Sequence, residues 1–347
     1  MRIKLVIVLL AGLTGGAIYY AIRSESATPI AATGTATSNE SNPAAAGSNA
    51  DTNDSTKLTI CSFNIQFLGH FKKRDNAALA SILTDYDIVL VQELVAPPDD
   101  GTYPDGETYT EDAEADAFFD EMESLGFDWT LSSEDTGTGD EIHKANTATE
   151  WWVAFYKRGR VEPATDIPSG FLADDRSNHD DYERVSYAFA FRTAGGNLDF
   201  VLISVHLKPG ASQEARRQQE LNAITDWIDA HDQAEHDFII VGDMNIEPNE
   251  LNLVPAGFVS LNDELGPTNT NLNGPKPYDH VLYNPTTTTE IDGAFDFQVV
   301  DLIEAMRPHW TSTDPYPGDP YNHNAFRQLY SDHHPVVFRL DVGVDDD

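Results

Sequence analysis

Continuous apolar segments of strand length constrain the fold of this 347-residue chain most strongly. Several hold four or more consecutive apolar residues, which is typical of strands buried in a sheet rather than of half-exposed strands. The segments are LTICSFNI (58–65), DIVLVQEL (87–94), WWVAFY (151–156), VSYAFAF (185–191), LDFVLISVHL (198–207), FIIVGDM (238–244), YDHVLY (278–283) and PVVFRL (335–340). Helical patterns lie between them, at 75–86, 114–125 and 212–231. We therefore expect an α/β fold in which two mixed β-sheets pack as a sandwich flanked by helices.

The first 56 residues differ in composition from the rest. Residues 1–23 join a basic start to an uncharged apolar stretch of 18 residues, which predicts a signal peptide or a membrane anchor. Residues 24–56 are rich in Ala, Ser, Thr, Asn and Gly and predict a disordered linker, because they lack the apolar side chains that form a core. Residues 57–347 are predicted to form one domain. We expect an exported monomer that is secreted, periplasmic or anchored facing outside, with membrane contact only through an uncleaved N-terminal segment.

The charge of the chain is strongly one-sided. Lys and Arg total 21 against 58 Asp and Glu, a formal net charge of −37. This balance excludes nucleic-acid binding by bulk electrostatics and indicates adaptation to a saline medium. Cys61 stands alone, which excludes an intramolecular disulfide and a multi-cysteine metal site. The acidic loop at 97–112 is interpreted as a solvated face, with a calcium loop as the alternative.

Polar side chains end six of the apolar segments or flank them. They are Asn64 with Gln66, Gln92 with Glu93, His206, Asp243 with Asn245, Asp279, and Asp332 with His333. A buried polar group is costly without a partner, so these groups are expected to converge on one site. Because residues i and i+2 of a strand face the same side, Asn64 and Gln66 are predicted to point together, as are Asp243 and Asn245.

These residue types suit the hydrolysis of a phosphodiester. Glu93 and Asp332 are hard oxygen donors of the kind that Mg²⁺ binds. Two histidines beside carboxylates suit a general acid and a general base near neutral pH. Groups that can donate hydrogen bonds to the phosphate oxygens are Asn64, Asn245 and Arg184.

Nine stretches, in the same order as in the family, resemble the endonuclease/exonuclease/phosphatase superfamily and, within it, the deoxyribonuclease I-like branch. They are SFNIQFLG (62–69), YDIVLVQEL (86–94), EWWVAFY (150–156), YERVSYAF (182–189), VHLKPG (205–210), VGDMNIEP (241–248), YDHVLY (278–283), FDFQVVDL (295–302) and SDHHPVVFRL (331–340). The resemblance implies that 57–347 is the catalytic domain of a metal-dependent endodeoxyribonuclease with a deoxyribonuclease I-like fold. It also implies Mg²⁺ as the cofactor, with Mn²⁺ as the alternative and Ca²⁺ as a structural ion.

The resemblance assigns roles to individual residues. The implied catalytic residues are His206 as general acid, His333 as general base, their carboxylate partners Glu150 and Asp279, and the pair Asp243 and Asn245 that positions nucleophile and phosphate. The implied substrate-binding residues are Asn64 and Arg184, and the implied metal ligands are Glu93 and Asp332.

The sequence also departs from the deoxyribonuclease I pattern. Leu94 stands where an arginine follows the metal-ligand glutamate, and Ala148 replaces a tyrosine, so the preference for DNA is left open. The basic segment 72–74 is interpreted as a solvated turn, with substitute phosphate contacts as the alternative. Two further functions stay open. They are a phosphatase or sphingomyelinase-like lipid phosphodiesterase with the same site, and a non-catalytic acidic binding domain.

Overall fold

The computed structural model describes residues 54–139, 142–143, 147–176, 179–295, 297–310, 316, 322–343 and 345. The predicted signal peptide or anchor at 1–23 and all but the last three residues of the predicted linker lie outside the described residues. In the described part of the chain, no helix is both long enough and apolar enough to cross a membrane.

The strands follow the apolar segments of the sequence. In chain order they are β1 (Lys57–Leu68), β2 (Ile88–Leu94), β3 (Gly101–Thr102), β4 (Thr108–Tyr109), β5 (Asp128–Leu131), β6 (Trp151–Tyr156), β7 (Val161–Pro163), β8 (Gly170–Phe171), β9 (Tyr187–Thr193), β10 (Asp199–His206), β11 (Phe238–Asp243), β12 (Val259–Ser260), β13 (Asp279–Tyr283), β14 (Gln298–Val299) and β15 (Val336–Asp341).

Two mixed sheets contain nearly all of these strands. One sheet has the order β14-β15-β1-β2-β6-β5, and the other has the order β12-β13-β11-β10-β9-β7, with β8 also paired to β9. Each sheet holds one parallel pair at its centre, β1 with β2 and β10 with β11, among antiparallel neighbours. Strand β1 also pairs antiparallel with β15, with Lys57 opposite Asp341 and Ser62 opposite Val336.

Helices cover the outer faces of both sheets. They are α1 (Asn76–Ser81), α2 (Ala113–Ser124), α3 (Glu214–His231), α4 (Leu302–Met306) and α5 (His323–Leu329), with short 3₁₀ turns at Leu251–Leu253 and Arg307–His309. Asp75 caps α1 by accepting a hydrogen bond from the Ala78 amide at 3.1 Å. The predicted helix at 75–86 is shorter in the structure, where it ends at Ser81 with Ile82 as its C-cap.

Three apolar cores hold the layers together. Side chains from both sheets, among them Ile60, Trp152, Phe200 and Phe338, form the central core between the sheets. A second core lies between the first sheet and helices α1, α2, α4 and α5, and a third lies between the second sheet and α3. This arrangement confirms the predicted sandwich of two mixed sheets flanked by helices.

The acidic loop at 97–112 is only partly a solvated face. It contains the β3–β4 hairpin, and Tyr103 within it is buried, with its ring stacked on that of Trp151. The apolar face of the hairpin thus packs on the domain, while its acidic side chains remain outside.

Candidate active site

The two parallel pairs of strands end side by side, one pair from each sheet. A hydrogen bond of 3.0 Å from Asn64 Nδ2 to Asp243 Oδ2 joins β1 of the first sheet to β11 of the second. His206 lies opposite Asp243 in the register of β10 and β11. The fold therefore brings the polar strand ends to one edge of the sandwich, as the sequence predicts.

The same local turn follows Asn64 in β1 and Asp243 in β11. Asn64 Oδ1 accepts a hydrogen bond from the Gln66 amide at 3.0 Å, and Asp243 Oδ1 accepts one from the Asn245 amide at 2.9 Å. Gln66 and Asn245 both have left-handed backbone angles, with φ of 56° and 50°. These left-handed residues interrupt strand alternation, so the prediction from alternation does not hold here, and the side-chain turns place Gln66 and Asn245 instead. The Asn245 side chain donates to the Leu207 carbonyl at 3.1 Å and so ties down the end of β10.

One carboxylate oxygen, Asp243 Oδ2, lies at the centre of the site. It lies 3.6 Å from His206 Nε2 and 3.5 Å from His333 Nε2, in addition to its hydrogen bond with Asn64. Gly242, with φ of 140°, precedes it, and a side chain there would collide with the Val205 carbonyl oxygen. Close approach of β10 and β11 therefore requires glycine just before the central carboxylate.

A buried carboxylate orients His206. His206 Nδ1 lies 2.9 Å from Glu150 Oε1, while Glu150 Oε2 accepts the Glu93 amide at 2.6 Å. Arg184 Nε lies 3.1 Å from Glu150 Oε1 and also donates to the Ala148 carbonyl at 3.1 Å. The structure thus places the predicted substrate-binding arginine beside Glu150, on the side of that carboxylate that holds the imidazole.

A second buried carboxylate orients His333 in the same way. His333 Nδ1 lies 2.8 Å from Asp279 Oδ2, and the Asp279 amide donates to Thr268 Oγ1 at 2.9 Å. The Ser331 hydroxyl accepts the His333 amide at 3.0 Å and donates to the Asn64 carbonyl at 2.7 Å. The loop that carries His333 is therefore fastened directly to the end of β1.

Electrostatics favour protonated imidazoles at this site. Burial and the charge of Arg184 oppose the charge on His206, but Glu150 and Asp243 outweigh both and raise its pKa above the usual value. Burial opposes the charge on His333 too, yet Asp279 and Asp243 raise its pKa well above the usual value. Burial raises the pKa of Asp243, against the effect of the two imidazoles. The three groups therefore form one system that holds and exchanges protons.

Two groups of side chains bring three ligand atoms each within 4.8 Å of one another in the described residues. They are Glu93, His206 and Asp243, and Asp243, Asp279 and His333. The predicted metal ligand Glu93 belongs to the first group, whereas Asp332 belongs to neither. The structure therefore supplies an acidic cluster with histidines that could hold a divalent metal.

Glu93 and Asp332 nevertheless lie near each other, since the charge of Asp332 raises the pKa of Glu93, although less than burial does. Asp332 Oδ2 accepts a hydrogen bond from Gln66 Nε2 at 2.7 Å. Asp332 Oδ1 and Gln66 Oε1 are buried and have no donor. Hard oxygen atoms without donors next to Glu93 fit a hard divalent cation such as Mg²⁺.

Arg74 was not expected to be part of the site. It is fully buried, pairs with Glu114 at 2.9 Å, and donates to the carbonyls of Gln66 and Tyr330. The interpretation of 72–74 as a solvated turn is therefore wrong for Arg74, although Lys72 does lie at the surface, paired with Asp112. Arg74 contacts backbone carbonyls and Glu114 of α2, which lies 40 residues further along the chain. No local sequence pattern therefore distinguishes it.

His334 and His333 have different surroundings although they are adjacent. His334 Nδ1 accepts the Leu302 amide at 2.9 Å, at the start of α4. The structure therefore uses His334 to hold a helix and leaves His333 to face Asp243.

Comparisons with known proteins agree with this geometry. A model of the Endonuclease/Exonuclease/phosphatase family matches residues 61–333, a span that includes every predicted site residue. A deoxyribonuclease from Thioalkalivibrio sp. (strain K90mix) is 26% identical over 197 residues, which are 55% of this chain and 47% of that protein. The chain thus matches about half the length of this relative.

Solved structures show the fold alone, since their sequence identities are low. The catalytic domain of human Nocturnin with a bound sulfate anion is 15% identical, with a TM-score of 0.51 over 82% of this chain and 93% of that one. TDP2 of D. rerio, humanized by 14 mutations, is 16% identical, with a TM-score of 0.50 over 82% of this chain and 99% of that one. With the family match over 61–333 and this deoxyribonuclease I-like fold, the chain belongs to the endonuclease/exonuclease/phosphatase family.

Proposed function

We propose that this protein is an exported, Mg²⁺-dependent phosphodiesterase that hydrolyses DNA. One observation carries the proposal. Two imidazoles, His206 and His333, point their Nε2 atoms at one oxygen of Asp243, at 3.6 and 3.5 Å, while a separate buried carboxylate holds each Nδ1. This arrangement presents two proton-transfer groups to one small region, which the displacement of an alcohol from a phosphodiester by water requires.

His206 acts as the general acid in this proposal. Glu150 fixes its tautomer and stabilises the imidazolium, whose Nε2 proton goes to the leaving oxygen. His333 acts as the general base through Nε2, because Asp279 holds the other ring nitrogen. The raised pKa of His333 makes its neutral imidazole a strong acceptor of the proton of the attacking water.

The phosphate would lie against Asn64 and Asp243, where the two sheets meet. The Asn64 amide can donate to a non-bridging oxygen as negative charge grows there. A contact between Arg184 and the phosphate stays a prediction, because Glu150 and the Ala148 carbonyl already engage its Nε. Asn245 supports the site through the Leu207 carbonyl.

Glu93 and Asp332 would hold Mg²⁺, with Gln66 Oε1 as a further oxygen donor. The metal would supply a positive charge that polarises the phosphate and offsets charge in the transition state. Glu93 is positioned for this by hydrogen bonds from Asn64 Nδ2 at 2.9 Å and from the Phe67 amide at 3.2 Å.

Two further observations support the choice of substrate and location. The curated relative from Thioalkalivibrio is named a deoxyribonuclease, and DNA is therefore our proposed substrate. The apolar segment at 1–23 supports export. Because the net charge of −37 repels DNA, we expect cleavage to need divalent cations and to persist at high salt.

The test uses the full-length protein on supercoiled plasmid DNA with Mg²⁺, Mn²⁺ or EDTA at several NaCl concentrations. We expect nicking that requires the metal and that falls by 10²-fold or more in His333→Asn. His231→Asn, at the far end of α3, is the matched histidine control and should keep full activity.

Each outcome bears on a separate part of the proposal. Nicking in EDTA, or equal nicking by His333→Asn, would contradict the metal or the catalytic role. Absence of nicking at every salt concentration, together with hydrolysis of bis-p-nitrophenyl phosphate or sphingomyelin, would replace DNA with a smaller or lipid phosphoester.

A further inference from the structure

Helix α5 places an arginine at the edge of the active site. Arg327 lies in this helix directly after Phe326, whose buried side chain packs in the core between the first sheet and its helices. Arg327 Nη1 lies 3.7 Å from Oδ2 of Asp332, the predicted metal ligand next to His333. The hydrolysis proposed above gives Arg327 no role.

The surroundings of His323, the first residue of α5, also place this arginine next to the site. Burial lowers the pKa of His323, Asp332 raises it, and the charges of Arg327 and His333 lower it further. The side chains of Arg327 and Asp332 are 34% and 26% exposed, whereas that of Asp243 is 3% exposed. The pair of Arg327 and Asp332 therefore lies on the solvent side of the site, and the reacting groups lie deeper.

Arg327 is held more loosely than other cationic side chains that pair with acids. In the described part of the chain, each other lysine or arginine with an acidic partner has one at 3.1 Å or less. The contact between Arg327 and Asp332 is too long for a hydrogen bond, and Arg327 Nε is buried without an acceptor. A buried donor without an acceptor is costly, so an incoming acceptor can improve the position of this side chain.

Two other arginines near the site are already engaged. Arg74 is fully buried, where it pairs with Glu114 and donates to backbone carbonyls. Arg184 is 10% exposed and lies 3.1 Å from Glu150. Of these three arginines, Arg327 has the most exposed side chain and the weakest contacts with the protein.

A phosphate group fits the chemistry of this arginine. The planar guanidinium fork matches two phosphate oxygens at once, which a point charge cannot do. In the proposed function the scissile phosphate lies against Asn64 and Asp243, whereas the ion pair that the structure describes for Arg327 is with Asp332 at the edge. Each further phosphate of a DNA strand adds a negative charge outside the reacting centre.

We propose that Arg327 binds a backbone phosphate adjacent to the scissile one and so forms a subsite for polynucleotides. The proposal rests on the proposed function, because it takes DNA as the substrate. A divalent cation at Asp332 would weaken the ion pair with Arg327, since two cations then compete for one carboxylate. The guanidinium then turns from Asp332 to the phosphate. The subsite favours substrates with several phosphates over simple diesters, although the chain as a whole is acidic.

The experiment compares two substrates of the full-length protein in Mg²⁺. They are a DNA duplex, which offers many phosphates, and bis-p-nitrophenyl phosphate, which offers one. Arg327→Gln should raise KM for DNA by about tenfold and leave kcat unchanged. The slope of log KM against log[NaCl] should become shallower by about 1, as for one lost phosphate contact. For bis-p-nitrophenyl phosphate, we expect kcat/KM of this variant to equal that of the wild type.

Two further variants control for charge and for folding. Arg158→Gln also removes an arginine that pairs with one aspartate, Asp128, and it lies beyond the end of β6 opposite Glu150. It should keep the KM and the salt dependence of the wild type. Arg327→Lys keeps the positive charge without the fork, so KM for DNA should rise less and the salt slope should be retained. This variant tests the subsite even where Arg327→Gln is unstable.

Three results would overturn the proposal. Unchanged KM and salt slope for DNA in Arg327→Gln would mean that the arginine only neutralises Asp332. An equal loss on both substrates would mean that it acts on the scissile phosphate or on the metal site. A wild type that hydrolyses bis-p-nitrophenyl phosphate but not DNA would contradict the proposed function, and the subsite with it.

Discussion

Asp243 and Asp237 flank the same strand, one at each end of β11, and both are almost completely buried. At the first end, Asn64, His206 and His333 surround the carboxylate with hydrogen-bond donors or cationic rings. At the second end, the strongest neighbours of Asp237 are other acids. The protein therefore surrounds one buried carboxylate with an amide donor and two imidazoles, while the other lies among like charges.

The difference separates two uses of a buried acid. The active-site end keeps partners that can gain and lose protons, so its charge can move during a reaction. At the remote end, the charged groups that act most strongly on Asp237 are Glu290, Glu235 and Asp345, and none of them is an imidazole. Substitutions at the two ends of β11 can test whether they differ in this way.

The largest effect is expected from Asp243→Asn. It removes the carboxylate oxygen on which both imidazoles and Asn64 converge, so plasmid nicking should fall by about 10³-fold or more. The measurement is initial nicking rate at saturating Mg²⁺. The matched surface substitution Asp229→Asn should leave the rate unchanged, and an equal loss in both would assign the effect to overall charge.

Sequence alone predicted most of the active-site end for a physical reason. The apolar strands force polar residues to their ends, and the parallel pairs bring His206 beside Asp243 and Asn64 beside Gln92. The resemblance to a family then supplied roles that spacing could not. Asp332 was also predicted to belong to this site. It accepts a hydrogen bond from Gln66 but lies outside the two three-ligand groups.

The remote end could not be predicted, because nothing local marks it. Asp237 and Glu290 lie 53 residues apart, and tertiary contacts such as the one from Thr288 Oγ1 to the His236 carbonyl bring their segments together. Arg74 escaped prediction for the same reason, since its partners include the carbonyl of Tyr330, 256 residues away. Tertiary pairing, not sequence pattern, creates such groups.

A smaller effect is expected from Glu150→Gln at the active-site end. The amide keeps the shape of the carboxylate but cannot stabilise the imidazolium of His206, so kcat should fall by about 10²-fold with little change in KM. NMR titration should also show a lower pKa for His206, because Glu150 raises it. An unchanged imidazole pKa would mean that Glu150 has only a packing role.

The smallest effect concerns His280, which is adjacent to Asp279 but lies opposite Gly242 in the sheet. Burial lowers its pKa to about 4, unlike the pKa values of His206 and His333. The unfolded chain therefore binds more protons than the folded chain between pH 6.5 and 4, so this histidine makes stability fall as pH falls.

Denaturant unfolding of His280→Gln tests that sign. Relative to the wild type, the variant should gain about 2 kcal/mol in the free energy of unfolding between pH 7 and pH 5. A constant difference at all pH values would mean that His280 keeps its ordinary pKa, and the contrast among the buried histidines would be lost.

The pairing of β1 with β15 also sets the order in which parts of the fold can form during synthesis. Lys57 pairs with Asp341, near the end of the chain. The hydrogen bond from the Ser331 hydroxyl to the Asn64 carbonyl, which fastens the loop that carries His333, spans 266 intervening residues. Closing contacts over such separations is slow, because the chain loses the entropy of a long loop first. A nascent chain that ends before Ser331 therefore lacks both β15, the antiparallel neighbour of β1, and His333. If the proposed hydrolysis is correct, it cannot begin before this late part of the chain has joined the fold.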